Sequence, residues 1–166
     1  MTSLKQLWAP WRMVFIKGGE KQLSGCIFCE LPQQDQDSRN LILYKGQHTF
    51  VILNKYPYNN GHLMVIPRKH TADLNALSAE EQSDLMIYTN HCISALKQTY
   101  KPEGFNIGMN LGAAGGAGIR EHLHFHIVPR WTGDTNFMPV LADTKSMPQH
   151  LDESFEQLQP YFRRLP

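Results

Sequence analysis

Three histidines stand at alternate positions, His122, His124 and His126, separated by Leu123 and Phe125 and followed by Ile127 and Val128. On a β-strand successive side chains point to opposite faces, so the three imidazoles share one face and Leu123, Phe125 and Ile127 take the other. A slip of one residue would exchange the two sets, which fixes the register. Same-face neighbours lie about 7 Å apart along a strand and the outer pair about 13 Å, so one metal held by all three is awkward. An extended anion suits the row better: one ring nitrogen attacks while its neighbours donate hydrogen bonds to phosphate oxygens. Histidine is apt for this, because an unperturbed pKa of ~6.5 leaves much of it neutral and nucleophilic near neutrality. The sequence therefore predicts a histidine row facing an anion-lined cleft.

Immediately upstream lies Gly112-Ala113-Ala114-Gly115-Gly116-Ala117-Gly118. Small residues let backbone N–H groups approach an anion closely. The run is no P-loop, since no Gly-Lys-Ser/Thr follows, and taken alone it reads more readily as a flexible hairpin loop; feeding directly into the histidine strand, it gains weight as an anion site. A second cluster is Cys26-Ile27-Phe28-Cys29. In a reducing compartment such a knuckle reads as half a zinc site, with histidines completing the tetrahedron; a metal-free reduced pair and a redox dithiol stay open beside it.

The elements that must position these residues are legible from pattern. Strands are predicted at Leu41–Lys45 and His48–Leu53 with Gly46-Gln47 as the turn, then at His62–Ile66, Phe105–Leu111 and Leu123–Val128. A long helix runs from Ala79 to about Thr99, with Ser78 and Glu81 as a capping box and Leu85, Tyr88, Cys92 and Leu96 on its packed face. A further helix is predicted over Leu151–Phe162. Hairpin-linked strands with one long helix between them give an α+β fold: an antiparallel sheet of about five strands against one helix, with a C-terminal helix.

The chain has 166 residues, a net charge of +1 and 42% hydrophobic residues, which fits one soluble domain over residues 1–166, with a core at 26–140 and extensions at both ends. The near-neutral charge offers no field for a nucleic acid polymer, and no apolar run reaches the ~18–20 residues that cross a bilayer. The segment Met1–Gly19 is broken by Pro10 and Arg12 and lacks a signal-peptide core, and three cysteines argue against a secreted disulfide framework. A cytoplasmic location is expected.

His122-Leu123-His124-Phe125-His126-Ile127-Val128 resembles the signature of the histidine triad (HIT) family of nucleotide hydrolases and transferases. The likeness extends through Phe50–Asn54, Gly61–Pro67 and Pro129-Arg130-Trp131. Trp8-Ala9-Pro10-Trp11-Arg12 and Trp131–Met138 are similar to the branch of fragile histidine triad hydrolases and diadenosine tetraphosphate phosphorylases. That resemblance implies a catalytic set: His124 as nucleophile, His126 as hydrogen-bond donor to the phosphate and leaving oxygen, and His62 as its support. It implies a substrate-binding set as well, with Asn54 at the ribose, Ile52 and Met64 along the base, and Asn110 with Gly116 and Gly118 on the phosphate side. Where fragile histidine triad hydrolases carry a glutamine before the triad this chain has Gly118, which leaves the phosphates to backbone N–H groups. Hexose-1-phosphate uridylyltransferases of the same family pair two such cysteines with two histidines, implying a structural zinc on Cys26, Cys29, His70 and His122. The family also implies a homodimer. Ile52 and Met64 read equally as core residues, and Asn54 as the start of a turn.

The expected activity is cleavage of a dinucleoside polyphosphate or other AMP-linked substrate at the α-phosphorus, through a nucleotidyl-histidine, by hydrolysis or phosphorolysis. Two other readings stay open: a nucleotide-binding sensor with negligible turnover, and a metal enzyme that uses the histidine row as ligands.

Overall fold

The computed structural model describes residues 25–135, 147–163 and 165. The Trp8–Arg12 segment, and the 136–138 part of the Trp131–Met138 segment, lie outside them. One short helical turn, α1 (Ile27–Glu30), carries the cysteine knuckle and precedes strands β1 (Ile42–Lys45), β2 (Thr49–Leu53) and β3 (Leu63–Pro67). The long helix α2 (Ala79–Tyr100) follows, then β4 (Gly104–Gly108), β5 (Phe125–Arg130) and helix α3 (Leu151–Phe162). All neighbouring strands pair antiparallel, in the order β1-β2-β3-β5-β4. This is the expected α+β fold.

The departures from the expected boundaries have local causes. Leu41 takes φ +60°, so β1 starts one residue later than the apolar pattern suggests. At β4 the ladder ends where Gly108 pairs with His126, and Met109 to Leu111 leave the sheet. At β5 the Leu123 N–H donates to the Thr71 carbonyl (2.8 Å) rather than to a sheet neighbour, so His122 and His124 precede the strand proper.

Helix α2 starts as predicted. Ser78 accepts from the Glu81 N–H and the Glu81 carboxylate accepts from the Ser78 N–H at 2.7 Å, a complete capping box. Its buried residues Leu85, Thr89, Cys92, Ala95 and Leu96 form one stripe packed on β2, β3 and β5. Tyr88, expected on this face, lies at its margin, half-buried, with its hydroxyl 2.7 Å from that of Tyr44. Removing the cap is expected to matter locally: Ser78→Ala should cost about 1 kcal/mol. Thermal unfolding followed by far-ultraviolet circular dichroism should then show a midpoint about 2–4 °C lower.

With α2 on one face, the site belongs to the other. Directly opposed residues of paired strands point the same way, so Ile42, Ile52, Met64, His126 and Gly108 form one row across the sheet. The helix-side rows are apolar, as in Val51–Val65–Phe125 and Leu53–Leu63–Ile127. Among the described residues, no helix is long and apolar enough to cross a membrane.

Candidate active site

Strand parity brings the expected catalytic residues together. His124 and His126 have ring centroids 4.8 Å apart, and His62, immediately before β3, lies 5.0 Å from His126. The row is not an open surface, however. His122, His124 and His126 are 1%, 6% and 9% exposed, so the open cleft that parity suggested is replaced by a covered site. Phe28 covers part of it, with its ring 5.2 Å from His124 and 5.6 Å from His122. A cavity of about 740 Å³ lies elsewhere, among Asp35–Arg39, Asp152, Phe155 and Glu156.

Hydrogen bonding assigns a proton to each neutral ring. Asn54 Oδ1 accepts the Tyr56 N–H at 2.9 Å, which turns its Nδ2 toward His62 Nδ1 at 3.2 Å. The Tyr58 N–H also donates to His62 Nδ1, at 3.0 Å. A nitrogen that accepts from an N–H carries the lone pair, so the His62 proton sits on Nε2. That Nε2–H donates to His126 Nδ1 at 2.9 Å, which places the His126 proton on its own Nε2. His124 is set the other way round: its Nδ1–H donates to the His122 carbonyl at 2.9 Å, so Nε2 holds the lone pair. The arrangement gives a basic nitrogen on His124 beside a proton-bearing nitrogen on His126.

Tyr58 was not singled out by sequence reasoning, yet its ring also stacks 4.7 Å from His62 and 5.6 Å from His126. The next residue, Asn59, is buried and ties the loop down, donating to the Pro129 carbonyl at 3.0 Å and to Asp134 Oδ2 at 2.8 Å. Arg130 grips the same carboxylate through Nε at 2.6 Å and Nη2 at 2.8 Å, and its guanidinium holds Asp134 well below the usual carboxylate range. Only the adjacency of Arg130 and Asp134 at i, i+4 hinted at this network.

The proposed substrate-binding residues fall into two groups. Ile52 and Met64, 5% and 7% exposed, share the sheet row of His126 and give its face an apolar flank. Asn54 is next to His62, with its amide engaged as described. Asn110 is half-buried, two residues past the end of β4. The 112–118 loop is exposed except for Ala117, with Gly112 at φ +69° and Gly116 at φ +82° making its bends. The Gly116 N–H is spent on the Ala113 carbonyl (3.0 Å) and that of Ala117 on Gly112 (3.2 Å). Gly116 thus supplies curvature here, whereas Gly118 is exposed in the segment leading to His122.

The second cluster is a compact donor set. Sγ of Cys26 and Cys29 and one nitrogen each of His70 and His122 lie within 4.8 Å of one another. His122 Nδ1 stands 3.3 Å from Cys26 Sγ, 3.6 Å from Cys29 Sγ and 3.3 Å from His70 Nδ1, while Cys29 Sγ is 3.3 Å from His70 Nδ1. The His122 Nε2–H donates to the Pro67 carbonyl at 2.8 Å, which leaves Nδ1 as the lone-pair nitrogen in the cluster. Tetrahedral bonds of ~2.0–2.1 Å to nitrogen and ~2.3 Å to sulfur give donor separations of roughly 3.3 to 3.8 Å, and the four contacts of 3.3–3.6 Å fall in that range. Burial and the neighbouring Cys26 push the Cys29 thiol up, and burial lowers the His122 pKa, so both donors are held in their uncharged forms. Of the histidine row, His122 alone joins this four-donor group among the described residues.

The HIT domain pattern matches residues 35–133. The chain belongs to the HIT family. It is an enzyme of that family, a nucleotide hydrolase or phosphorylase. It is 36% identical over 170 aligned positions to an AP-4-A phosphorylase of Mycobacterium tuberculosis, an alignment covering 98% of this chain and 87% of the relative. Among solved structures it is similar to a Zn-bound histidine triad family protein from Mycobacterium smegmatis, with TM-score 0.66, 26% identity, and 82% and 92% of the two chains covered. A HIT-like protein from Bartonella henselae shares the fold, with TM-score 0.67 at 20% identity, over 86% of this chain and 100% of that one.

Proposed function

We propose that this HIT enzyme cleaves dinucleoside polyphosphates at the α-phosphorus through a nucleotidyl-histidine on His124. The observation that carries the reading is the hydrogen bonding of two adjacent rings, which assigns a lone pair to His124 Nε2 and a proton to His126 Nε2. In the first step His124 Nε2 forms a P–N bond as the P–O bond to the polyphosphate chain breaks. The His126 Nε2–H donates a hydrogen bond to the departing oxygen, which leaves as the polyphosphate anion, and His62 Nε2–H, hydrogen-bonded to His126 Nδ1, holds that ring in the donating tautomer. In the second step water, releasing a proton to solvent, or an oxygen of inorganic phosphate attacks the same phosphorus and the P–N bond breaks, its electron pair returning to Nε2 to regenerate the neutral ring.

Ile52 and Met64 flank the base, Asn54 and Asn110 meet the ribose and phosphate side, and Gly118 offers a backbone N–H where a bulkier residue would intrude. Cys26, Cys29, His70 and His122 hold a structural zinc, which supplies a cross-link between α1, the turn after β3 and the segment before β5. The likeness to the mycobacterial phosphorylase favours phosphorolysis. The whole chain, 1–166, forms one HIT-like domain, located in the cytoplasm and paired as a homodimer. The edge strand β4, with Ile107 43% exposed and Leu111 51% exposed just beyond it, favours that pairing.

Mass analysis after incubation with diadenosine tetraphosphate tests the route. With phosphate present, phosphorolysis yields ADP and ATP; hydrolysis yields AMP and ATP whether or not phosphate is added. Binding of the dinucleotide with no product under single-turnover conditions would favour the sensor reading instead.

A further inference from the structure

The site described so far leaves one buried side chain at the meeting point of its two halves. Phe28 stands between the two cysteines of the knuckle, on the single helical turn Ile27–Glu30, and is 3% exposed. Its ring meets His122 edge-on at 5.6 Å (82°), lies tilted against His124 at 5.2 Å (53°), and leans on Phe50 at 6.4 Å (64°). Three different roles of the histidine face thus touch one ring: a metal-cluster residue, the nucleophile and the sheet.

His124 donates its Nδ1–H to the carbonyl of His122. A hydrogen bond at Nδ1 fixes one ring atom, and the plane of the imidazole is set by the neighbours that pack against it. Phe28 is such a neighbour. The helical turn that carries it is anchored at both ends by Cys26 and Cys29, whose thiols lie within 3.3–3.6 Å of the ring nitrogens of His70 and His122. The carbonyl that receives the His124 proton belongs to His122, whose side chain joins the same cluster. Wall and hydrogen-bond acceptor are therefore set by one four-donor group.

We propose that Phe28 is a positioning residue for the nucleophile: pressed in place by the cysteine knuckle, its ring holds the His124 imidazole in the orientation that points Nε2 at phosphorus. The inference rests on the assignment of His124 as nucleophile. It makes the metal cluster more than a staple, since the turn it anchors bears directly on the reacting ring.

Phe28→Leu and Phe28→Met test this, each keeping apolar volume while removing the flat wall. Three quantities are read: metal content, the KM and kcat for diadenosine tetraphosphate, and the ¹⁵N shifts of the His124 ring without substrate, assigned with His124→Gln. The wild type is expected to show a single Nδ1–H tautomer. The variants should retain their metal and a KM within about 2-fold, lose about 10-fold or more in kcat, and show His124 shifts averaged between tautomers, since small misplacement of a reacting group costs up to ~10²-fold. Wild-type shifts and kcat in both variants would overturn the proposal, and so would loss of metal in both, which would assign Phe28 to holding the knuckle closed. Absence of His124-dependent turnover in the wild type would instead remove the nucleophile assignment, while the substrate-free shifts would still decide whether Phe28 orients the ring.

Discussion

His124→Ala is expected to lower single-turnover nucleotide release from diadenosine tetraphosphate by about 10⁴-fold or more, while the dinucleotide still binds within a few-fold of wild type. Such a drop corresponds to roughly 5.5 kcal/mol of lost transition-state stabilisation. The physical ground is that, of the three rings His62, His124 and His126, His124 combines a lone pair on Nε2 with a hydrogen bond from Nδ1–H to a carbonyl. Alanine removes the bond-forming atom but leaves the apolar flank of Ile52 and Met64 and the proton-bearing nitrogen of His126 in place. Binding and chemistry should therefore separate. Acid-labile attachment of one nucleotide to the wild-type chain, absent from the variant, would identify the bond directly. Unchanged turnover in His124→Ala would end the covalent mechanism.

The second large effect concerns the four-donor cluster. The purified chain is expected to carry one zinc per molecule, and Cys29→Ser to lose it and to unfold about 10 °C or more below the wild type. Three segments distant in sequence, at residues 26–29, 70 and 122, meet at this point, so a cation there joins parts of the chain that otherwise depend on packing alone. Binding energy at such a site is folding energy. A loss of several kcal/mol becomes a shift of this size at ~2–4 °C per kcal/mol for a chain of this length. Elemental analysis and scanning calorimetry, with and without a strong chelator, check both parts. A metal-free wild type with the same midpoint as Cys29→Ser would overturn the assignment, and a chain two mass units lighter after isolation would point to the redox dithiol instead.

These two clusters also bear on the rival readings. A metal enzyme using the whole histidine row would need His124 and His126 turned toward a shared ion. Instead His126 is paired with His62 and His124 with the His122 carbonyl, and His122 is drawn off toward the cysteines. The row is divided between two tasks.

Much of the architecture was legible in the residues alone, because it depends on short-range periodicity. Alternation at His122–Val128 fixed which side chains share a face, the Ser78/Glu81 pair marked the start of the long helix, and the apolar spacing through Leu96 marked its buried side. The C-terminal helix runs over Leu151–Phe162 as its pattern predicts. Strand ends were less legible. Whether a strand continues depends on its partner: β4 stops where its pairing with β5 stops, and β5 begins late because Leu123 bonds to Thr71.

What the sequence determined by itself was the set of chemical groups and their parity: a row of imidazoles, a pair of thiols, and a sheet to carry them. Only the tertiary structure decided how those groups are protonated, paired and covered. The tautomers of His62, His124 and His126 follow from donors and acceptors 4, 2 and 64 residues away in the chain. Phe28 reaches His124 across almost the whole length of the described core, from a position where the sequence shows only an apolar residue between two cysteines. Local pattern fixes which way a side chain points; what it meets there is set by packing between segments that no local pattern records.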